Sequence, residues 1–230
     1  MLERGAARVG AELRARQLDP AAGTDELAAR LEELNADRRV HGVLLQAPLP
    51  PGVDQAELAA RIAPAKDVDG ASPTSAVRLL RGRPGFVPAT AAAVMEILRG
   101  AGVPLSGARA VVLGRSMVVG RPAALLLLAA DATVTVCHSR TRDLEAVTRQ
   151  ADVLVVAVGR PRLVGAGFVK PGATVIDVGT TPTAGGVAGD VDFDAVSPLA
   201  GAITPVPGGV GPVTTMSLLR QVLAAADHQS

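Results

Sequence analysis

Hydrophobic and polar residues follow a regular order over the second half of the chain, from about residue 108. Short apolar runs predict strands at residues 110–113, 133–136, 153–158, 174–178 and, more weakly, 202–204. Segments with apolar residues at helical spacing fall at 121–130, 143–150 and 213–225. Continuous apolar strands joined by helices are typical of a parallel sheet that is covered on both faces.

The first part of the chain is richer in helical patterns. Helices are predicted at residues 2–16, 24–35, 54–62 and 90–98, and a short buried strand at 43–45. We therefore predict an α/β protein of two domains. The first is an α/β domain over 1–100, the second a Rossmann-like parallel-sheet domain over 101–225, and residues 226–230 form a tail.

Composition excludes several function classes. The longest apolar stretch, around residues 123–130, is roughly half of what a bilayer demands, so no membrane span is expected. A net charge of +1 without a basic stripe gives no support to nucleic-acid binding. One cysteine, Cys137, excludes an intramolecular disulfide and a multi-cysteine metal site. Together with the absence of a secretory signal pattern, this favours a cytoplasmic protein.

The composition also limits the catalytic residues. The chain has no tyrosine, and only two of its 23 basic residues are lysines, Lys66 and Lys170. A mechanism that needs a lysine therefore has two candidates within this sequence. Lys170 precedes Pro171 and Gly172, which indicates a surface turn.

The first strand of the second domain leads into a loop that is suited to phosphate. Gly114 and Gly120 let the backbone approach a ligand, and a helix that begins near Gly120 offers unpaired N–H groups. The spacing differs from G-x-G-x-x-G, so an ordinary strand-to-helix loop remains an alternative. After the second strand, residues 137–142 contain no carboxylate, and Arg140, Arg142 and the nearby Arg115 favour NADP over NAD.

Five segments together resemble the bifunctional methylenetetrahydrofolate dehydrogenase/methenyltetrahydrofolate cyclohydrolase family. They occur in the family's order along nearly the whole chain. The segments are Leu45 to Pro50, Pro64 to Gly70, Gly114 to Pro122, Val175 to Gly179 and Ile203 to Thr214.

The resemblance implies an N-terminal α/β domain packed on an NADP-binding domain, with a tetrahydrofolate-type substrate in the cleft, and a homodimer. It implies these substrate-binding positions: Gln46, Asp69, Pro207, Gly208 and Gly209. It implies these cofactor-binding positions: Gly114, Arg115, Ser116, Ser139 and Thr180. The predicted catalytic residues are Gln46, Lys66 and Asp69.

A carboxylate matches the two adjacent donors of a pterin edge, which suits Asp69. Without the motif, Asp67 and Asp69 would be interpreted as a solvated turn. Gln46 ends the predicted first-domain strand and could orient a water, a lysine or the bridging carbon. Lys66 is a lysine in a chain that otherwise uses arginine, which hints at a need for a compact ammonium.

The sequence departs from the family at its main acid/base group. The family's Tyr-x-x-x-Lys motif aligns so that Leu2 occupies the lysine position, and the tyrosine would precede Met1. Ala89 and Thr180-Thr181 also differ from the family's usual residues. The dehydrogenase step needs no strong base, whereas the cyclohydrolase step does, so we predict that the second step is impaired. The alternatives are a non-catalytic NADP- or folate-binding protein and the product of a truncated reading frame.

Overall fold

The computed structural model describes residues 2–17, 19, 21–46 and 49–229. Ala47 and Pro48, in the first of the five segments that resemble the family, and Ser230 of the predicted tail lie outside the described residues. The chain divides into two compact units, one formed by Met1–Ala89 with Thr215–Ser230 and the other by Thr90–Thr214. No helix among the described residues is long and apolar enough to cross a bilayer.

This division differs from the predicted boundary between residues 100 and 101, for reasons of packing. Helix α5 (Ala89–Gly100) buries Val94 and Leu98 in the same cluster as Val112 of the sheet, so it belongs to the second unit. The final helix, α9 (Val210–Gln229), extends through most of the predicted tail. Its second half returns to the first unit, where Leu218 packs against Val68.

The described residues of the first unit form helices and extended segments without a paired strand. The helices are α1 (Leu2–Arg8), α2 (Thr24–Ala36), α3 (Gln55–Arg61) and α4 (Pro73–Leu80). The predicted first helix is shorter than expected, and Gly10 beyond its end has a φ of +74°. The predicted strand at 43–45 is an extended segment in which Val43 is buried and donates its N–H to the Lys66 carbonyl at 2.8 Å. Among the described residues of this unit no strand continues this pairing, so they form no sheet.

The second unit contains the parallel sheet that the sequence predicts. Its strands are β1 (Arg109–Leu113), β2 (Thr133–Cys137), β3 (Val153–Val156), β4 (Thr174–Asp177) and β7 (Ala202–Ile203), in the order β2-β1-β3-β4-β7. Successive residues of one strand pack on opposite faces: Val111 lies in one buried cluster and Val112 in the other. The sheet is therefore covered on both sides, which confirms the predicted fold class.

Shorter elements connect the strands of this sheet. The predicted connections α6 (Gly120–Ala129) and α7 (Leu144–Thr148) are present. A 3-10 helix (Ala166–Phe168), an antiparallel hairpin of β5 (Thr181–Thr183) with β6 (Gly186–Ala188), and α8 (Phe193–Val196) were not predicted.

Candidate functional site

Strand order places the candidate cofactor site of the second unit. Strand β1 lies between β2 and β3, and the connection after β1 leads to β2 on one side, whereas the connection after β3 leads to β4 on the other. In open parallel sheets, ligands bind at this reversal, outside the carboxyl ends of the strands. The segment that follows β1 here begins at Gly114, as the phosphate-loop prediction requires.

Two glycines allow the backbone of this loop to pack closely. Gly114 has a φ of +127°, and a Cβ atom there would overlap the carbonyl of Ala157, which follows β3. A Cβ atom on Gly120 would overlap the Gly114 carbonyl. The two ends of the loop therefore meet without side chains between them, which favours a phosphate cradle over an ordinary strand-to-helix loop.

Ser116 closes the amino end of helix α6. Its hydroxyl oxygen accepts the N–H groups of Val119 and Gly120 at 3.1 and 3.3 Å, and its carbonyl accepts that of Arg121 at 3.0 Å. The hydroxyl proton remains to be donated to an acceptor. The N–H groups of Gly120 and Arg121, which the sequence predicted to be unpaired, are therefore bonded to Ser116. The hydroxyl proton of Ser116 and the positive end of the α6 dipole are what favour an anion here.

Basic and hydroxyl residues follow β2, the strand beside β1. The Gly114 N–H donates to the Cys137 carbonyl at 2.9 Å and joins the two strand ends. Beyond Cys137, the Thr141 hydroxyl accepts the N–H of His138, and His138 Nδ1 accepts that of Arg140. These bonds give His138 a structural contact in the turn that carries the exposed Ser139 and Arg140.

Asp177, a buried carboxyl at the end of β4, lies in the fourth of the five segments, and the sequence indicated no separate role for it. Asp177 accepts N–H groups from Gly179 and Asp190 through Oδ1, at 2.9 and 3.0 Å, and from Val191 through Oδ2, at 2.9 Å. Burial raises the pKa of the Asp177 carboxyl, and the neighbouring Asp190 raises it further, against the lowering by these donors. Asp177 thereby fixes the segment that leads to Thr180, which is itself exposed.

A second buried carboxyl, Asp190, was missed entirely. It is 0% exposed, and its Oδ2 accepts the N–H groups of Val158 and Gly159 at 2.6 and 2.9 Å. Its Oδ1 has no hydrogen-bond partner among the described residues and lies against Gly179, where a Cβ atom would come within 2.6 Å of it. Asp190 therefore holds the turn after β3 beside the phosphate loop.

The loop before α9 contains the predicted wall residues Pro207, Gly208 and Gly209. Pro207 and Gly208 are exposed, and Gly208 has a φ of +104°. A Cβ atom on Gly209 would overlap the Pro205 carbonyl, so only glycine fits there. The hydroxyl of the preceding Thr204 accepts the Asp177 N–H at 2.8 Å, which anchors this loop to β4.

In the first unit, the segment 66–70 contains two carboxylates, Asp67 and Asp69, whose surroundings differ. Asp67 is fully buried and accepts the N–H groups of Ala71 and Ser72, at 2.9 and 3.0 Å, and the Ser75 hydroxyl. It is a structural anchor for the turn and for the start of α4, and not part of a solvated turn. The sequence indicated no such role.

Asp69 is half-buried and keeps most of its acceptor capacity. Its Oδ1 accepts the Ala89 N–H at 2.9 Å. Burial raises the pKa of Asp69, the Ala89 N–H lowers it, and the nearby Asp67 raises it. A carboxyl oxygen that accepts one N–H has a second lone pair, so Asp69 can still pair with two adjacent donors of a ligand.

The structure gives Lys66 a different role from the predicted one. The residue is 6% exposed. Its ammonium donates to the carbonyls of Leu34, Asn35 and Asp37 at 2.9, 2.7 and 2.8 Å. An ammonium has three donors, and all are used at the carboxyl end of α2. This geometry argues against Lys66 as a catalytic proton donor.

The two remaining predicted positions, Gln46 in the first unit and Lys170 in the second, lie at the surface. Gln46 is exposed at the end of the extended segment. Lys170 is half-exposed and pairs with Asp152 at 2.6 Å, as the prediction of a surface turn implies. No group of three His, Cys, Asp or Glu residues that could hold a metal ion occurs among the described residues.

Most of the chain matches the two domain models of one protein family. The model of the tetrahydrofolate dehydrogenase/cyclohydrolase catalytic domain matches residues 1–69, and that of its NAD(P)-binding domain matches residues 88–230. This chain belongs to the tetrahydrofolate dehydrogenase/cyclohydrolase family. The bifunctional protein FolD of Parafrankia sp. (strain EAN1pec) is 62% identical over 228 residues, which cover 98% of this chain and 82% of the relative.

Solved structures of this family have the same fold. A bifunctional FolD from Campylobacter jejuni superposes with a TM-score of 0.97 at 40% identity, covering 100% of this chain and 82% of the other. A FolD from Trypanosoma brucei, complexed with NADP cofactor and inhibitor, gives a TM-score of 0.93 at 42% identity, covering 99% and 80%. The family assignment made from the five motifs is confirmed.

Proposed function

We propose that this protein oxidises 5,10-methylenetetrahydrofolate to the methenyl form with NADP. Relatives named bifunctional FolD and the Trypanosoma brucei structure with NADP support the activity and the cofactor. The observation that carries the proposal is the phosphate loop, in which Gly114 and Gly120 pack so closely against the carbonyls of Ala157 and Gly114 that a Cβ atom at either position would overlap them. The residues present therefore fit the cofactor.

Positioning accounts for the dehydrogenase step. NADP supplies the hydride acceptor when it is bound. In the second unit, Ser116 and the α6 amino end would hold its phosphates, while Ser139, Arg140 and Arg142 would hold the 2′-phosphate. In the first unit, the Asp69 carboxylate would orient the pterin. The lone pair of a folate nitrogen then expels hydride from the methylene carbon, so alignment supplies much of the catalysis without a strong base.

The cyclohydrolase step lacks its acid/base group in the described chain. Leu2, at the family's lysine position, packs in an apolar cluster with Val68 and Ala89. Val68 precedes Asp69 in the sequence, and the Ala89 N–H donates to the Asp69 carboxyl. Lys66 has all three donors engaged by carbonyls. General acid/base groups contribute about 10²–10⁴-fold, so this half-reaction should be slow. A homodimer, which the family resemblance implies, and a cytoplasmic location, which the composition favours, stay predictions.

Purified protein supplied with 5,10-methylenetetrahydrofolate and NADP tests the proposal through folate-dependent formation of NADPH. Turnover supports the enzyme. If both ligands bound at micromolar concentration without NADPH formation, the non-catalytic alternative would replace it. If neither ligand bound, the proposed function would be wrong.

The cofactor preference gives a separate prediction. Replacing both Arg140 and Arg142 with alanine should weaken NADP binding by about 10- to 100-fold, because guanidinium–phosphate hydrogen bonds are lost, while NAD binding changes little. Calorimetric titration of the variant with each cofactor measures this difference. Arg149→Ala, an exposed arginine at the end of α7, is the matched control. An equal loss for NADP and NAD would contradict the assignment of the phosphate pocket.

A further inference from the structure

Gln221 of the C-terminal helix α9 makes three hydrogen bonds through one amide. Its Nε2 donates to the carbonyls of Val68 and Val87 at 2.9 and 3.0 Å, and its Oε1 accepts the Val87 N–H at 2.9 Å. The three bonds connect α9 to two segments that are far from it in sequence. All of these residues lie in the first unit.

The two segments held by Gln221 are those that place Asp69. Val68 precedes Asp69 directly, and Val87 lies two residues before Ala89, whose N–H donates to Asp69 Oδ1 at 2.9 Å. Gly70 completes the contact, because a Cβ atom there would come within 2.6 Å of the Val87 Cα. A movement of the 86–89 segment would therefore displace the hydrogen-bond donor of the Asp69 carboxyl.

The amide is the side chain that suits this position. Val68 and Val87 present two carbonyls and one N–H, and a primary amide supplies two donors and an acceptor in one plane. Buried backbone groups that lose such partners carry the full cost of desolvation. Removing the amide would leave these groups to find other partners, and the two segments could separate.

We propose that Gln221 is a positioning residue for the folate-binding carboxyl of Asp69. The inference rests on the proposed function for its kinetic consequence. Its structural part, that Gln221 sets the surroundings of the Asp69 carboxyl, holds without any ligand. Gln221 touches backbone only, so it acts through the Val68 and Val87 segments.

Gln221→Met keeps the length of the side chain and removes its polar atoms. We expect the KM for the folate to rise about tenfold, the equivalent of one hydrogen bond, while the Kd of NADP changes by less than about twofold. A carboxyl-carbon NMR titration of the ligand-free protein gives a second measurement. In Gln221→Met, the pKa of Asp69 should move toward the ordinary aspartate value, because the carboxyl becomes hydrated. The signal of the neighbouring Asp67 carboxyl has to be assigned separately.

Gln229→Met is the matched control. Gln229 lies on the same helix, and its amide also donates to loop carbonyls, those of His41 and Ala65 at 2.8 and 3.1 Å, neither of which adjoins Asp69 or Ala89 in sequence. This variant should change neither the folate KM nor the Asp69 titration. Gln221→Glu, which keeps the acceptor for Val87 and loses both donors, should raise the folate KM as Gln221→Met does, and it serves for the kinetic measurement if the methionine variant does not fold.

Unchanged folate KM and unchanged Asp69 titration in the Gln221 variants would overturn the inference. So would the same changes in Gln229→Met, because they would indicate a general loosening of the helix. If the wild-type protein showed no turnover, the proposed function would fail, and the ligand-free titration alone would decide the role of Gln221.

Discussion

Asp69→Asn should lower kcat/KM for the folate by about 10- to 150-fold. The carboxylate is assigned two charge-assisted hydrogen bonds to the pterin edge, each worth about 1.5–3 kcal/mol, and an amide can accept only one of them. The Asn oxygen can still accept the Ala89 N–H, so the fold should persist. Steady-state kinetics at fixed NADP, with a calorimetric Kd for NADP, measure the effect.

Asp54→Asn is the control for this change. Asp54 caps helix α3 in the same unit, and asparagine caps helices equally well, so kcat/KM should not change.

The pH profile of kcat/KM for the wild-type protein should fall on its acid side at a pH above 3.8, the ordinary pKa of an aspartate, because burial raises the pKa of Asp69. The active carboxylate is then lost as the pH falls through that raised value. Normal folate kinetics in Asp69→Asn would remove the residue from the site.

Lys66→Met should destabilise the protein by about 2–4 kcal/mol. The substitution takes a charged donor from three carbonyls at the end of α2, and losing one partner of a buried charged hydrogen-bond group is among the costlier changes. Urea unfolding of the first unit, followed by circular dichroism, measures the loss. The turnover numbers of the dehydrogenase and cyclohydrolase steps, measured at low temperature with saturating ligands, should fall by the same factor.

The chain's other lysine provides the control. Lys170→Met removes an exposed ion pair with Asp152, which should change the free energy of unfolding by less than about 1 kcal/mol. A stable Lys66→Met variant that lost only cyclohydrolase activity would restore the catalytic role predicted for Lys66. That outcome would also mean that the ammonium leaves its three carbonyls during the reaction.

Local patterns predicted the elements whose neighbours are close in sequence. The apolar runs of β1 and β2 and the helical spacing of α2 were sufficient, because burial on one or both faces leaves a periodic signal. The hairpin β5–β6 is short and only partly buried, so it has little such signal. The segment 43–45 has a strand's composition, but strand formation also needs a partner that the pattern cannot supply.

The candidate site divides in the same way. Gly114 and Gly120 could be identified from spacing, because a tight loop between a strand and a helix is a local requirement. The roles of Asp190, Gln221 and Lys66 depend on partners far away in sequence, such as the Val158 N–H for Asp190 and the Leu34 carbonyl for Lys66. A preference for lysine over arginine at position 66 was visible in the sequence. Its cause, a small space closed by three carbonyls, was not.

A progress curve that follows the methenyl intermediate tests the central claim most directly. Protein, 5,10-methylenetetrahydrofolate and NADP are mixed, and NADPH, methenyltetrahydrofolate and 10-formyltetrahydrofolate are recorded against an enzyme-free blank. We predict that NADPH forms while the methenyl compound accumulates, with enzymatic hydrolysis at least about a hundredfold slower than oxidation. Formation of 10-formyltetrahydrofolate in step with NADPH would contradict the account.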